Sequence, residues 1–254
     1  MTDGRAGLEL LVVGAGPAYT DRPGAVGASY LVRHGSTAIL LDLGQGAFTN
    51  LAARIEPSTL AAVAISHLHP DHFVDLVPLR HYLRYEFQPP RRVAVIGPAG
   101  LATRLDALHD QPGFAAVSLD VTDHQPGPVT IGSLRLEAIR VQHTTDSYAI
   151  RVAAGQGPGL VYSGDCGRAD DLRPLIRPGD TLLAEATYGT DPVAPGSNHL
   201  NAHDVGRVAA ETGAGRVLLT HVLMGRDRGK AVSAAAALVR VPVDVVDPGD
   251  HFDL

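Results

Sequence analysis

Ser66-His67-Leu68-His69-Pro70-Asp71-His72 directly follows the apolar run Ala62–Ile65. It places four candidate metal ligands within six residues. In a loop leaving a buried strand, alternate side chains turn to one side. His67 and His69 then share a face, and Asp71 and His72 project from the next bend. Imidazole and carboxylate are the donors that zinc and similar divalent ions prefer. The plain alternative is a polar loop with surface histidines, and chance clustering of this kind behind an apolar strand is rare. Four ligands are too many for one catalytic zinc, which keeps three protein ligands and an open position. Two metals sharing a bridging carboxylate fit better.

The missing ligands are then expected at later strand ends. His143 ends a run carrying Leu134, Leu136, Ile139 and Val141. Asp165 follows Leu160-Val161-Tyr162-Ser163-Gly164, and His221 follows Val217-Leu218-Leu219-Thr220. Each is a polar residue just past an apolar strand, where binding groups collect in layered folds. Taken alone, each suits a structural role. Together with the first cluster they complete a set of seven.

With these residues in order, the chain resembles the metallo-β-lactamase superfamily over its whole length, residues 1–254 reading as one hydrolase domain. The resemblance implies an α/β fold, a four-layer αβ/βα sandwich of two mixed sheets flanked by helices, with a dinuclear site at one edge. It implies His67, His69 and His143 on one metal, Asp71, His72 and His221 on the other, and Asp165 between them. A water between the metals would be ionised near neutral pH and act as nucleophile. The ion expected is zinc, for a His-rich set without thiolate, with manganese or iron as alternatives.

Two further stretches resemble the tRNase Z-like and cyclic phosphodiesterase-like branch. They are Leu182-Leu183-Ala184-Glu185-Ala186-Thr187-Tyr188 and His199-Leu200-Asn201-Ala202. By that likeness Glu185 orients His199, and His199 serves as general acid or stabilises the phosphoryl oxygens. Asp71 also takes the proton of the attacking water. The branch further implies homodimerisation. One departure is plain. The long basic arm that tRNase Z carries between the positions of His143 and Asp165 has no room here, where only residues 144–164 intervene. The expected substrate is therefore a small or cyclic phosphodiester. The second reading is a hydrolase of a lactone, thioester or β-lactam on the same site. An iron-dependent oxidoreductase is disfavoured because that branch carries a carboxylate where this chain has His69. A non-catalytic relative would have lost ligands.

Composition agrees with a globular enzyme. The chain has 254 residues, 45% hydrophobic and 19% charged, enough for a sizeable core. No apolar run approaches the roughly 20 residues of a spanning helix, so no membrane partner is expected. The start, with Asp3 and Arg5, does not read as a secretory leader. The single cysteine, Cys166, excludes an intramolecular disulfide and a thiolate-cluster zinc site, and makes the cytoplasm the expected compartment. A net charge of -6 gives no bulk attraction to long nucleic acid.

Elsewhere, Tyr30–Val32 and Ala38–Leu43 read as a hairpin, Phe73 to Tyr85 as one helix, and Ala116–Val121 as a strand. Ala202–Thr212 and Gly229–Arg240 read as helices. Gly14-Ala15-Gly16 lacks the third glycine of a dinucleotide fingerprint and reads as a tight turn. Cys166, adjacent to Asp165, is expected to face away from the metals. The run from Arg80 to Arg92 lines either the pocket or a dimer contact, or is a solvated helix face. Arg226, Arg228 and Lys230 open a helix where a phosphate would be electrostatically reasonable. His34, His109, His124 and His251 read as surface residues.

Overall fold

The computed structural model describes residues 7–194 and 196–254; the charged start with Asp3 and Arg5 lies outside them. In chain order the elements are β1 (Glu9–Gly14), β2 (Ser29–His34), β3 (Thr37–Leu41), α1 (Ala47–Ala52), β4 (Ala62–Ala64), α2 (Pro70–Phe73) and α3 (Leu76–Tyr85). Then come β5 (Val93–Gly97), α4 (Leu101–Leu108), β6 (Leu119–Asp123), β7 (Val129–Ile131), β8 (Leu134–Arg140), β9 (Tyr148–Ala154) and β10 (Gly159–Tyr162). The last are β11 (Thr181–Glu185), α5 (Ala202–Thr212), β12 (Arg216–Thr220), α6 (Arg228–Ala236), β13 (Val243–Val245) and β14 (His251–Asp253).

Side-chain alternation along the strands sets the layers. Ala38 and Leu40 of β3 face the helices α1, α3 and α4, whereas Ile39 and Leu41 face the opposite sheet. Likewise Val217 and Leu219 of β12 pack on α5 and α6, and Leu218 packs between the sheets. The result is four layers, helix–sheet–sheet–helix. One sheet runs β14-β1-β2-β3-β4-β5-β6 and the other β13-β12-β11-β10-β9-β8-β7. Both are mixed. β3 to β6 are parallel, as are β10 to β13, and the remaining neighbours are antiparallel. Parallel strands buried on both faces explain the unbroken apolar runs in β4, β10, β11 and β12.

Two local readings are corrected, and two short strands are added. The helix expected over Phe73–Tyr85 is two helices, because Asp75 is drawn out of the helical pattern to accept the backbone N–H of Phe48 at 2.8 Å. The strand expected at Ala116–Val121 opens as a 3-10 turn, Ala115–Val117, before β6. β14 and β7 were not legible because each is three residues long and largely exposed. Among the described residues no helix is long and apolar enough to cross a membrane.

A buried ion pair fixes the middle of the second sheet. Arg151 of β9 donates from Nε and Nη2 to Asp180 at 2.7 and 2.8 Å. Asp180 also accepts the N–H of Gly159 at 2.7 Å and of Arg177 at 2.9 Å, so one carboxylate ties β9, β10 and the entry to β11. Asp180→Ala leaves a buried guanidinium and two backbone donors unpaired. The expected loss is about 3–5 kcal/mol, read from the shift of a urea unfolding curve.

Candidate metal centre

The centre forms where five polypeptide segments leave the sheets at the C-terminal ends of β3, β4, β10, β11 and β12, joined by the loop after β8. Binding groups collect at such ends because the strands are parallel and their carboxyl termini open together. His67, His69 and His143 converge with Asp165, and Asp71 converges with His72 and His221; within each group the nearest nitrogens and oxygens lie within 4.8 Å of one another. Asp165 faces both groups. Its Oδ2 is 3.6 Å from Nε2 of His67 and of His143, and its Oδ1 is 3.4 Å from His72 Nε2 and 3.7 Å from His221 Nε2.

The outer hydrogen bonds aim these rings. Asp42 accepts the Nδ1–H of His72 at 2.7 Å, so His72 presents a bare Nε2 inward. The carbonyl of Asn198 accepts His143 Nδ1–H at 2.7 Å with the same result. Ser66 Oγ donates its one hydrogen to Asp42 Oδ2 at 2.7 Å and therefore accepts from His67 Nδ1 at 3.1 Å. Thr187 Oγ1 donates to Glu185 Oε2 and accepts from His221 Nδ1 at 3.0 Å. Four imidazoles thus hold their N–H outward and a lone pair inward, which is the form that ligates a metal.

The interior fits a cation. His67 Nε2, His72 Nε2 and Asp165 Oδ1 are buried with no hydrogen-bond partner. Orphaned polar atoms of this kind carry the full cost of desolvation unless something binds them. The bare Nε2 of His143 accepts the Nδ1–H of His69 at 3.1 Å, which ties the two rings together. The pKa directions divide. Burial disfavours the charge on His72, yet Asp165 and Asp42 raise it well above the usual histidine range, so the field where its Nε2 points favours a positive charge. Burial, with His72 adding to it, pushes His67 well below the usual histidine range, and burial lowers His69 and His143. Burial opposes the charge on Asp165, yet His221, His72 and His67 hold its carboxyl well below the usual carboxylate range. The donors are imidazole and carboxylate without thiolate, as zinc favours.

A third grouping, Asp165, His199 and His221, also falls within 4.8 Å. His199 differs from the other rings. Its near nitrogen, Nδ1, is 3.9 Å from Asp165 but already donates to Glu185 Oε1 at 2.9 Å. Burial disfavours its charge, but the bond and charge of Glu185 win, and its pKa is raised. Glu185 is buried and fully bonded, accepting also from Cys166 N, Thr187 N and Thr187 Oγ1. His199 stacks 5.9 Å from His221 and lines a 340 Å³ cleft over the centre, with Pro17, Tyr19, Tyr188 and Leu223 as its apolar walls.

Backbone strain marks the same place. His221 and Asp42 have φ of 56° and 57°, left-handed values uncommon outside glycine. The His221 N–H is held by the carbonyl of Ala15 at 3.2 Å, which gives the Gly14-Ala15-Gly16 turn its use. A Cβ at Gly14 would lie 2.0 Å from the Gly27 carbonyl, and one at Gly44 would lie 1.8 Å from the Asp71 carbonyl. Both glycines let neighbouring loops close over the ligand-bearing segment.

Other candidates lie elsewhere. Cys166 is buried, donates to the Arg168 carbonyl at 3.1 Å, and has its thiol pKa raised by burial. The Arg80–Arg92 run does not line the cleft. Arg80 is buried, bonds the Phe114 carbonyl at 2.9 Å and covers its ring, and Arg92 pairs with Asp120. Arg226 and Arg228 pair with Asp191 and Asp247, and the Asp227 side chain already caps α6. His124 is not a surface residue. It is half-buried, bonds the Ile65 carbonyl at 2.9 Å and packs on Tyr148. Asp42, Ser66, Thr187 and the Asn198 carbonyl were not singled out from sequence. Only Asp42 left a signal, a carboxylate at the end of an apolar strand.

A family model described as a β-lactamase superfamily domain matches residues 37–222. The chain belongs to the metallo-β-lactamase superfamily. This superfamily member is 34% identical over 239 residues to an uncharacterised protein of Mycobacterium leprae, covering 91% of this chain and 84% of that one. It is 27% identical over 275 residues to a ribonuclease Z of Mycolicibacterium paratuberculosis, covering 96% of each. The crystal structure of the metallo-β-lactamase fold protein YhfI from Bacillus subtilis superposes with a TM-score of 0.87 at 23% identity, over 98% of this chain and 99% of that one. The superfamily and its fold are thereby established, and with the His/Asp clusters they support a metal-dependent hydrolase.

Thr187 serves a metal-facing ring and the Glu185–His199 pair with one hydroxyl. Thr187→Val keeps the branched shape and removes the hydroxyl, freeing His221 to turn. Metal affinity is expected to fall about 10- to 100-fold, measured by competition with a chromogenic chelator, and Thr187→Ser is expected to restore it.

Proposed function

We propose that the chain is a metal-dependent phosphodiesterase acting on a small or cyclic phosphodiester. The observation that carries this reading is the Glu185–His199 pair, 2.9 Å apart, on the wall of the cleft beside the converging imidazoles. In this reading His67, His69 and His143 would hold one divalent ion and Asp71, His72 and His221 a second, with Asp165 serving both. Bound there, the ions, zinc by the character of the donors, activate a water and neutralise charge on the phosphoryl oxygens.

The chain's own residues do the rest. The Asp71 carboxylate takes the proton shed by the attacking water. Cleavage of the P–O bond leaves an alkoxide, which is a poor leaving group unless protonated. Glu185 fixes His199 Nδ1–H and stabilises the imidazolium, so Nε2–H is free to donate to that oxygen. Water is added and one P–O bond breaks, giving a phosphomonoester and an alcohol, or from a cyclic diester one ring-opened phosphomonoester that carries the new hydroxyl.

The likeness to a ribonuclease Z supports phosphodiester chemistry. Two features favour a small substrate over tRNA. Residues 144–164 are spent on β9, β10 and their turn, and the net charge is -6. The 340 Å³ cleft is within the size range of small-molecule sites, about 300–1,000 Å³. The test is hydrolysis of bis(p-nitrophenyl) phosphate by zinc-loaded protein before and after chelation. Turnover that chelation removes and zinc restores is expected. Protein that holds two metals yet hydrolyses only lactones or thioesters would overturn the reading.

A further inference from the structure

Two clefts meet at His69. The first is the 340 Å³ cleft that contains His199. The second, of 250 Å³, is lined by Leu68, His69, Arg104, Thr144, Thr145 and Asp146 among others. Because His69 borders both, the second cleft is a continuation of the metal centre rather than a remote hollow.

The two clefts differ in chemistry. Pro17, Ala18, Tyr19, Tyr188 and Leu223 make the walls of the first largely apolar. The second carries two threonines and a cation. Its one carboxylate, Asp146, faces the guanidinium of Arg140 at 2.5 Å, an ion pair that offsets part of its charge. Arg104 has no such partner. Its side chain leaves α4 and donates from Nη1 to the Leu68 carbonyl at 3.2 Å, and no ion pair to it forms among the described residues. A guanidinium has five N–H donors, so most of them are available to a ligand.

The geometry assigns the clefts to the two arms of a phosphodiester. His199 stands in the first cleft, so the alcohol that it protonates departs from there. The other arm stays on phosphorus and must extend past His69. We propose that the Arg104 cleft is a subsite for an anionic group, a carboxylate or a second phosphate, on this retained arm. The substrate is then an unsymmetrical diester whose leaving side is neutral or apolar and whose retained side is negatively charged. At roughly 30 Å³ per water, the cleft holds a group the size of about eight waters, ample for a short anionic substituent. A charged group there gains charge-assisted bonds from the planar fork of Arg104, which matches carboxylate and phosphate. An apolar arm would instead strip water from an unpaired cation. This assignment rests on the phosphodiesterase reading for the identity of the arms, though the anion site can be tested apart from it.

Two nearly isosteric ligands that differ in charge separate the cases, 2-carboxyethylphosphonate and 2-carbamoylethylphosphonate. Each offers the same phosphonate to the metals, and only the first carries an anion to the Arg104 cleft. Calorimetry on zinc-loaded protein is expected to show 2-carboxyethylphosphonate binding about 10- to 100-fold more tightly. In Arg104→Gln, which keeps a donor for the Leu68 carbonyl at an exposed position, the ratio should collapse towards one with zinc content unchanged. In Arg104→Glu it should invert. Equal binding of the two ligands by the unsubstituted protein, or an unchanged ratio in Arg104→Gln, would overturn the subsite. Kinetics on the matching mixed diesters, p-nitrophenyl 2-carboxyethyl phosphate and p-nitrophenyl 2-carbamoylethyl phosphate, then isolate the other assumption. If the binding preference holds while neither diester is hydrolysed, the anion site stands and the phosphodiesterase reading falls. If both diesters are hydrolysed with no preference in binding or in KM, the reading stands and the subsite falls.

Discussion

Asp165→Ala is expected to abolish metal-dependent turnover and to lower the bound metal from two ions per chain to one or none. The reason lies in charge. The centre gathers His67, His69, His72, His143 and His221 around only two carboxylates, Asp71 and Asp165. In the proposed two-metal reading the ions would bring four positive charges, and Asp165 is the carboxylate with an oxygen toward each group, Oδ2 at 3.6 Å from His67 and His143 and Oδ1 at 3.4 Å from His72. Removing it halves the local negative charge and takes a donor from both groups at once. Loss of a Lewis acid costs several kcal/mol of transition-state stabilisation, which at about 1.4 kcal/mol per tenfold is roughly a thousandfold or more. Elemental analysis of dialysed protein, with circular dichroism to confirm folding, reads the outcome. An Asp165→Ala protein that kept two metals and full turnover would show that the groups do not share this carboxylate.

The centre was legible in sequence to an unequal degree, for physical reasons. His67, His69, Asp71 and His72 are close in the chain, so their clustering is visible without a fold. His143, Asp165 and His221 are visible only as polar residues ending apolar strands, and the parallel pairing of β10, β11 and β12 is what brings Asp165 and His221 level. The residues that aim the rings gave little signal. Asp42 meets His72 across 30 positions, and Thr187 meets His221 across 34. A threonine or a backbone carbonyl carries no mark that it will face an imidazole. The fold was easier. Apolar runs of period one or two fixed most strands, and α5 was readable to its ends because Asn201 caps it and Gly213 ends it at φ 74°. The break before α3 was not, since it depends on Asp75 meeting Phe48 from another segment.

His199→Ala is expected to keep its metals and to lose rate in proportion to how badly the leaving group needs a proton. His199 Nδ1 is committed to Glu185, so its removal takes no donor from the ligand groups. A p-nitrophenolate departs without protonation, and on bis(p-nitrophenyl) phosphate the variant should be slowed by less than about tenfold. An alkyl diester must expel an alkoxide, and there the loss should reach about 10²–10⁴-fold, the usual contribution of a general acid. Glu185→Gln separates the two parts of the pair. With its oxygen in the Oε1 position glutamine still accepts the His199 Nδ1–H but no longer raises the pKa of His199, and its amide faces the Thr187 N–H and hydroxyl, so metal content is read alongside the rate. Its rate on the alkyl diester should fall between those of the unsubstituted protein and His199→Ala. The comparison is decisive because a ligand and an acid fail differently. A ligand lost slows every substrate alike and lowers metal content, whereas an acid lost spares good leaving groups and leaves metal in place. Were His199→Ala to shed metal and slow both substrates equally, the grouping of His199 with Asp165 and His221 would be a third set of ligands, and the proton for the leaving oxygen would have to come from elsewhere.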